Sequence, residues 1–141
     1  MKTMTPEERR AFLLGKPRPA KLATVRADGR PHVAPIWFDL DGEDVIFTTW
    51  HTTVKAANLR HEARVALCVD DDQPPYAFII IEGTAAVEVQ AGSLLYWTTR
   101  IAGRYLGPEH AESFGKRNAV EGELLVRVKP DKIIAQTGIS D

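Results

Sequence analysis

Sulfur is scarce in this chain: one cysteine, Cys68, and two methionines among 141 residues. A single thiol cannot form an internal disulfide, and it excludes zinc sites built on several cysteines. Cys68 stands inside the apolar run 65–69, where a buried, inert thiol is expected. An excess of one charge is also missing. The formal net charge of −1 is not the strongly basic footprint of a dedicated nucleic-acid binder. No apolar run approaches the roughly 20 residues of a membrane span, and the first residues carry no long apolar leader-like segment. The default expectation is a cytoplasmic protein with neither nucleic acid nor membrane as partner. The chain has no GxGxxG, P-loop, GxSxG or HExxH pattern, which leaves the common nucleotide folds, elbow-type serine hydrolases and zincins unsupported. His32, His51, His61 and His110 have no metal-ligand spacing, so no metal site is expected.

What is present is the pattern of one small β domain spanning residues 1–141. Thr5, Pro6 and Glu8 form a capping-box start for a helix over 5–14, with Gly15 as its stop. Strands are expected at 21–25 and 32–40, joined by a hairpin with Asp28-Gly29 at its tip. Pro35 marks an edge or a bulge in the second strand, because it cannot donate to a ladder. Trp37 and Phe38 place one ring on each face. A third strand at 45–49 leads to a short helix at 53–61, and a fourth strand follows at 63–69. Residues 76–89 form a long strand or a pair of strands with a bend or bulge at Gly83, after which Ala85, Val87 and Val89 face inward. Leu94, Leu95, Thr98, Ile101, Ala102 and Tyr105 mark an amphipathic helix over 92–106. Gly107 stops it, and Pro108 starts another helix. Two short strands, 124–128 and 133–135, finish the sheet. The sum is mainly β with a few helices: a small barrel, with a sandwich as the alternative.

The chemistry gathers where the third strand gives way to the short helix. Thr48, Thr49, Thr52 and Thr53 are four hydroxyls within six positions, and Lys55 stands on the first helical turn. A helix start offers free N–H groups and a positive dipole end, so this junction reads as a phosphate seat. The structural reading is that threonine favours strands and caps, and that most lysines are solvated. Asn58, one turn on, either orients a phosphate or bonds the backbone. Trp37 is either the wall of a flat ring or a core residue, and Pro35 and Ile36 offer main-chain groups beside it. No acid–base constellation stands out, so no catalytic side chain is assigned.

Several stretches, taken in order, resemble the pyridoxamine 5′-phosphate oxidase-like split β-barrel family. They are Ala23-Thr24-Val25, Asp28-Gly29-Arg30-Pro31, Val33-Ala34-Pro35-Ile36-Trp37-Phe38 and Phe47-Thr48-Thr49. The series continues through Lys55-Ala56-Ala57-Asn58-Leu59-Arg60, Arg64-Val65-Ala66-Leu67, Ile81-Glu82-Gly83-Thr84-Ala85 and Arg104-Tyr105-Leu106-Gly107. More narrowly, the series resembles the family's deazaflavin-dependent oxidoreductase branch, the B class that uses coenzyme F420. The resemblance implies a homodimer with two cofactor sites at the subunit interface. It implies Thr48, Thr49, Lys55 and Asn58 on the phosphate and ribityl region, and main chain around Pro35, Ile36 and Trp37 behind the ring. Tyr76 and Phe78 would reach the partner subunit's site. The implied reaction is hydride transfer from the reduced deazaflavin to a small electrophilic acceptor. Members often carry a further basic residue where this chain has Val54, Ala56 and Ala57, which keeps FMN as the alternative cofactor. A non-catalytic binder of F420, haem or another planar ligand is the reading from a different class.

Overall fold

In the computed structural model, which describes residues 1–141, β1 (Lys2–Thr3) and α1 (Pro6–Gly15) lead into β2 (Ala20–Val25) and β3 (Pro31–Ile36). Next come β4 (Asp39–Asp41), β5 (Asp44–Trp50), α2 (Val54–His61), β6 (Arg64–Asp71) and β7 (Ala77–Glu88). The chain ends with α3 (Leu94–Leu106), α4 (Pro108–Asn118) and β8 (Glu123–Thr137). The strands form one antiparallel sheet in the order β3-β2-β6-β7-β8-β5-β4, with β1 added beside β8. The terminal strands of that path, β3 and β4, are joined by Trp37 and Phe38 alone. Laid flat, they would lie about 29 Å apart at the usual strand spacing, while the link from Ile36 to Asp39 reaches about 11 Å. The sheet must therefore roll up, and the barrel is split between β3 and β4. This decides against a sandwich.

The interior is apolar and close-packed. Leu22, Phe38, Val45, Phe47, Ile79, Ile81, Val126 and Val128 are buried there. Leu13 of α1 and Leu59 of α2 join the same core. Arg10 of α1 donates to the Gly42 carbonyl at one end of β5 (3.0 Å), while α2 follows the other end. The two helices therefore close opposite mouths of the barrel. A second cluster, Ile46, Leu94, Trp97 and Leu125, lies outside the barrel where α3 covers β5 and β8. This explains why Val45, Ile46 and Phe47 are all buried: both faces of β5 are covered, so the period-two signal vanishes.

Several sequence expectations are corrected. The break in the second strand falls at Trp37-Phe38 rather than at Pro35, although β3 is an edge strand as its proline requires. The last two strands are one, β8, running through Pro130. Pro130 stands opposite Gly83 at a bulge where Asp131 is the extra residue. A Cβ on Gly83 would come within 2.5 Å of the Lys129 carbonyl oxygen, so no side chain fits there. Val89 lies beyond β7 and is exposed, and Leu95 is exposed while Trp97 takes the inward place on α3. Cys68 faces outward on β6 and is only part-buried. Burial, then the neighbouring Asp70 carboxylate, push its thiol up, so it stays protonated.

Candidate cofactor-binding site

The seat is built at the β5–α2 junction. Thr53 caps α2, accepting from the Ala56 N–H (3.2 Å), and its hydroxyl pairs with that of Thr49 (2.8 Å). With that cap made, the N–H groups of Val54 and Lys55 have no acceptor within the chain. Lys55 is part-buried, and its ammonium makes neither an ion pair nor a hydrogen bond. Two free N–H groups and an unpaired cation on one helical turn are donors of the kind that an anion at a helix start would meet.

The other residues expected there divide by strand face. Thr48 and Thr49 are adjacent on β5 and point to opposite sides. Thr49 is buried toward the barrel interior, and Thr48 lies outside beside α3. Asn58 is buried, and its amide donates to the Thr24 hydroxyl (2.9 Å); it ties α2 to β2. Arg60 donates to the His51 carbonyl (3.0 Å), which holds the loop before the helix.

Sequence reasoning passes over Glu123, the first residue of β8. It stands opposite Trp50, and Leu125 stands opposite Thr48, so Glu123, Trp50 and Thr48 share the outer face. Gly122 (φ +99°) lets the chain turn flat against the Trp50 ring, where a Cβ would come within 2.6 Å. The Glu123 carboxyl is half-buried. Burial raises its pKa, and the Thr48 hydroxyl and the Lys55 charge partly oppose this. The only signal available would have been the β5–β8 register, which joins residues far apart in the chain.

The residues expected to back a ring lie at the split. β3 pairs only with β2, so one edge of its main chain at Pro35 and Ile36 is free. Ile36 is buried, whereas Trp37 is 45 % exposed and Phe38 only 1 %, so the two rings do point opposite ways. Trp37 stacks on Tyr105, which leaves its other face open. The β4–β5 register, Asp39 opposite Ile46, runs the chain before Asp39 toward Thr48, at the same end of β5 as the seat. Residues of α3 strap this segment. Arg104 donates to the Phe38 and Leu13 carbonyls, and Arg100 pairs with the buried Asp39 carboxylate (2.9 Å). Tyr76 is exposed, and Phe78 stands on β7 opposite Gln136, at the far end of β8 from Leu124 and Thr49. A single chain therefore does not gather Tyr76 and Phe78 with Lys55.

Three cavities of about 330, 380 and 370 Å³ lie under α1, beside β2 and β6, and between residues 90–95 and 119–123. None is lined by Lys55 or Trp37, and the last is bordered by Glu123. No helix is long and apolar enough to cross a membrane.

A family model described as pyridoxamine 5′-phosphate oxidase matches residues 5–136. No curated protein matches. Among solved structures, the conserved hypothetical protein Rv2991 from Mycobacterium tuberculosis superposes with a TM-score of 0.83 at 24% identity, over 97% of this chain and 87% of that one. A structure described as an F420 reductase is 29% identical, with a TM-score of 0.70 over 87% of this chain and 94% of that one. HutZ, the haem storage protein from Vibrio cholerae, has a TM-score of 0.73 at 18% identity, over 98% and 100%.

Proposed function

The chain belongs to the pyridoxamine 5′-phosphate oxidase family, and from that premise we propose that it is an oxidoreductase dependent on coenzyme F420. The observation that carries this reading is the unpaired Lys55 ammonium beside the free N–H groups of Val54 and Lys55. The likeness to an F420 reductase directs the choice of cofactor. When bound, the reduced deazaflavin supplies a hydride to a small electrophilic acceptor, quinone-like or otherwise conjugated.

The protein's own contribution is position. Lys55 and the first turn of α2 hold the phosphate by charge-assisted hydrogen bonds, with Thr48 beside them. Thr49 and Asn58 act one step back: Thr49 holds the Thr53 cap, and Asn58 anchors α2. The free edge of β3 at Pro35 and Ile36, with Trp37, backs the ring. An acceptor would lie over the ring face left open, and the proton that completes its reduction would come from solvent.

A second copy of the chain completes the site. No helix packs over the outer face of β6 and β7. With β2 and β3, that face presents Val33, Ala23, Ala66, Cys68 and Ile80, together with Lys21, Asp70 and Glu82. Pairing two such faces covers their apolar residues and brings the partner's copy of the Tyr76–Phe78 segment toward the seat. FMN is the second reading, because it too carries a phosphate on a ribityl chain. The test is a titration of the apo protein with F420, FMN and haem, followed by absorbance, with the assembly mass measured alongside. Saturable F420 binding by a dimer supports the proposal. Haem binding without either flavin would replace it with a non-catalytic role.

A further inference from the structure

Resting on the reading above, we infer that Glu123 sets the charge selectivity of the seat, favouring a singly charged phosphodiester over a doubly charged phosphomonoester. F420 carries its phosphate as a diester, whereas FMN and other 5′-phosphates are monoesters whose second proton leaves near pH 6. A dianion is held best by two cations or more. This seat offers one.

The other charged groups nearby do not supply a second cation. Arg60 is exposed and committed to the His51 carbonyl. His61 is exposed at the far end of α2, and Val54, Ala56 and Ala57 are apolar. The outer face of β8 instead presents a carboxylate. Glu123 is placed by two cross-strand pairs, Trp50 with Glu123 and Thr48 with Leu125, which set it diagonally beside Thr48 on the outer face. The His51 N–H donates to the Gly122 carbonyl (2.9 Å), tying the start of β8 to the loop that leads into α2. Glu123 and Lys55 feel each other's charge, yet no ion pair joins them. An anion approaching Lys55 therefore also meets the field of this carboxylate. One negative charge is balanced by Lys55 and the helix end, while a second meets Glu123 in a partly desolvated place, where repulsion is stronger than in water.

The experiment measures dissociation constants for three deazaflavins with the same ring: the phosphate-free riboside, its 5′-phosphate monoester, and F420. Wild type, Glu123→Gln and Glu123→Lys are compared, with circular dichroism to show that each variant is folded. Glu123→Gln is expected to tighten the monoester about fivefold or more while changing F420 less than about twofold. Glu123→Lys should tighten the monoester further, and the riboside should not respond to either substitution. Equal effects on monoester and diester, or none on either, would overturn the inference while leaving F420 binding in place. If wild type binds none of the three, the functional reading fails as well, so the two failures are distinct.

Discussion

The indole of Trp37 lies flat on the phenol of Tyr105, ring centroids 5.0 Å apart and planes 2° from parallel. The Tyr105 hydroxyl donates to the Arg18 carbonyl (2.9 Å) and accepts from the Phe38 N–H (3.4 Å). One residue of α3 thus holds the two-residue link that joins the edges of the split barrel, and it fixes which face of Trp37 stays open.

Tyr105→Phe keeps the stack and removes both hydroxyl contacts. It is expected to cost about 1–2 kcal/mol, since the Phe38 N–H and Arg18 carbonyl lose a partner in a part-buried place. Urea unfolding measures this. Tyr105→Ala should also shift the tryptophan emission, because the Trp37 ring is released.

Lys55→Ala should weaken F420 binding by about 1.5–3 kcal/mol, the range for a charge-assisted hydrogen bond. The melting temperature should stay close to that of wild type, because the ammonium has no partner within the chain. Unchanged affinity would remove the phosphate seat.

Thr24→Val acts on the fold. It leaves the buried Asn58 amide without its acceptor and should cost about 1–3 kcal/mol in unfolding free energy. Asn58→Ala should lower stability in the same direction, and the double variant should cost less than the sum of the two, because both break one interaction.

The Glu123 carboxyl has a folded-state pKa raised above its ordinary value of 4.5, chiefly by burial. The folded protein therefore binds that proton more tightly than the unfolded chain. The wild-type penalty appears as pH rises from about 4.5 through the raised value, and it is absent below. Glu123→Gln should melt higher than wild type at pH 7, and the gap should close as the pH is lowered below that range. A gap unaffected by pH would show that the carboxyl charge is not its source.

Much of the fold is legible residue by residue. The capping box of Thr5 and Glu8 forms as expected, because its partners lie three residues apart. Gly83 marks the bulge, and Pro35 lies on an edge strand. Reading fails where burial comes from a remote partner. Nothing near Ile46 announces that α3 will cover it, and Pro130 argues locally against the continuous strand that β7 pairing imposes. The candidate site divides in the same way. Lys55 on the first turn of a short helix is visible in the chain, as is Thr53, the residue that caps it. That Thr49 faces inward, that Asn58 is engaged by Thr24, and that Glu123 stands beside Thr48 follow from strand face and register.

By itself, the sequence determined the local units: capped helices, tight turns, strands of period two, and an anion-ready helix start. Only the tertiary structure decided that a two-residue link must roll the sheet into a split barrel, and that a carboxylate from the last strand shares the outer face with Thr48, within electrostatic reach of Lys55. Local geometry depends on neighbours in the chain, whereas the charge balance of a site depends on which distant strands are hydrogen-bonded side by side.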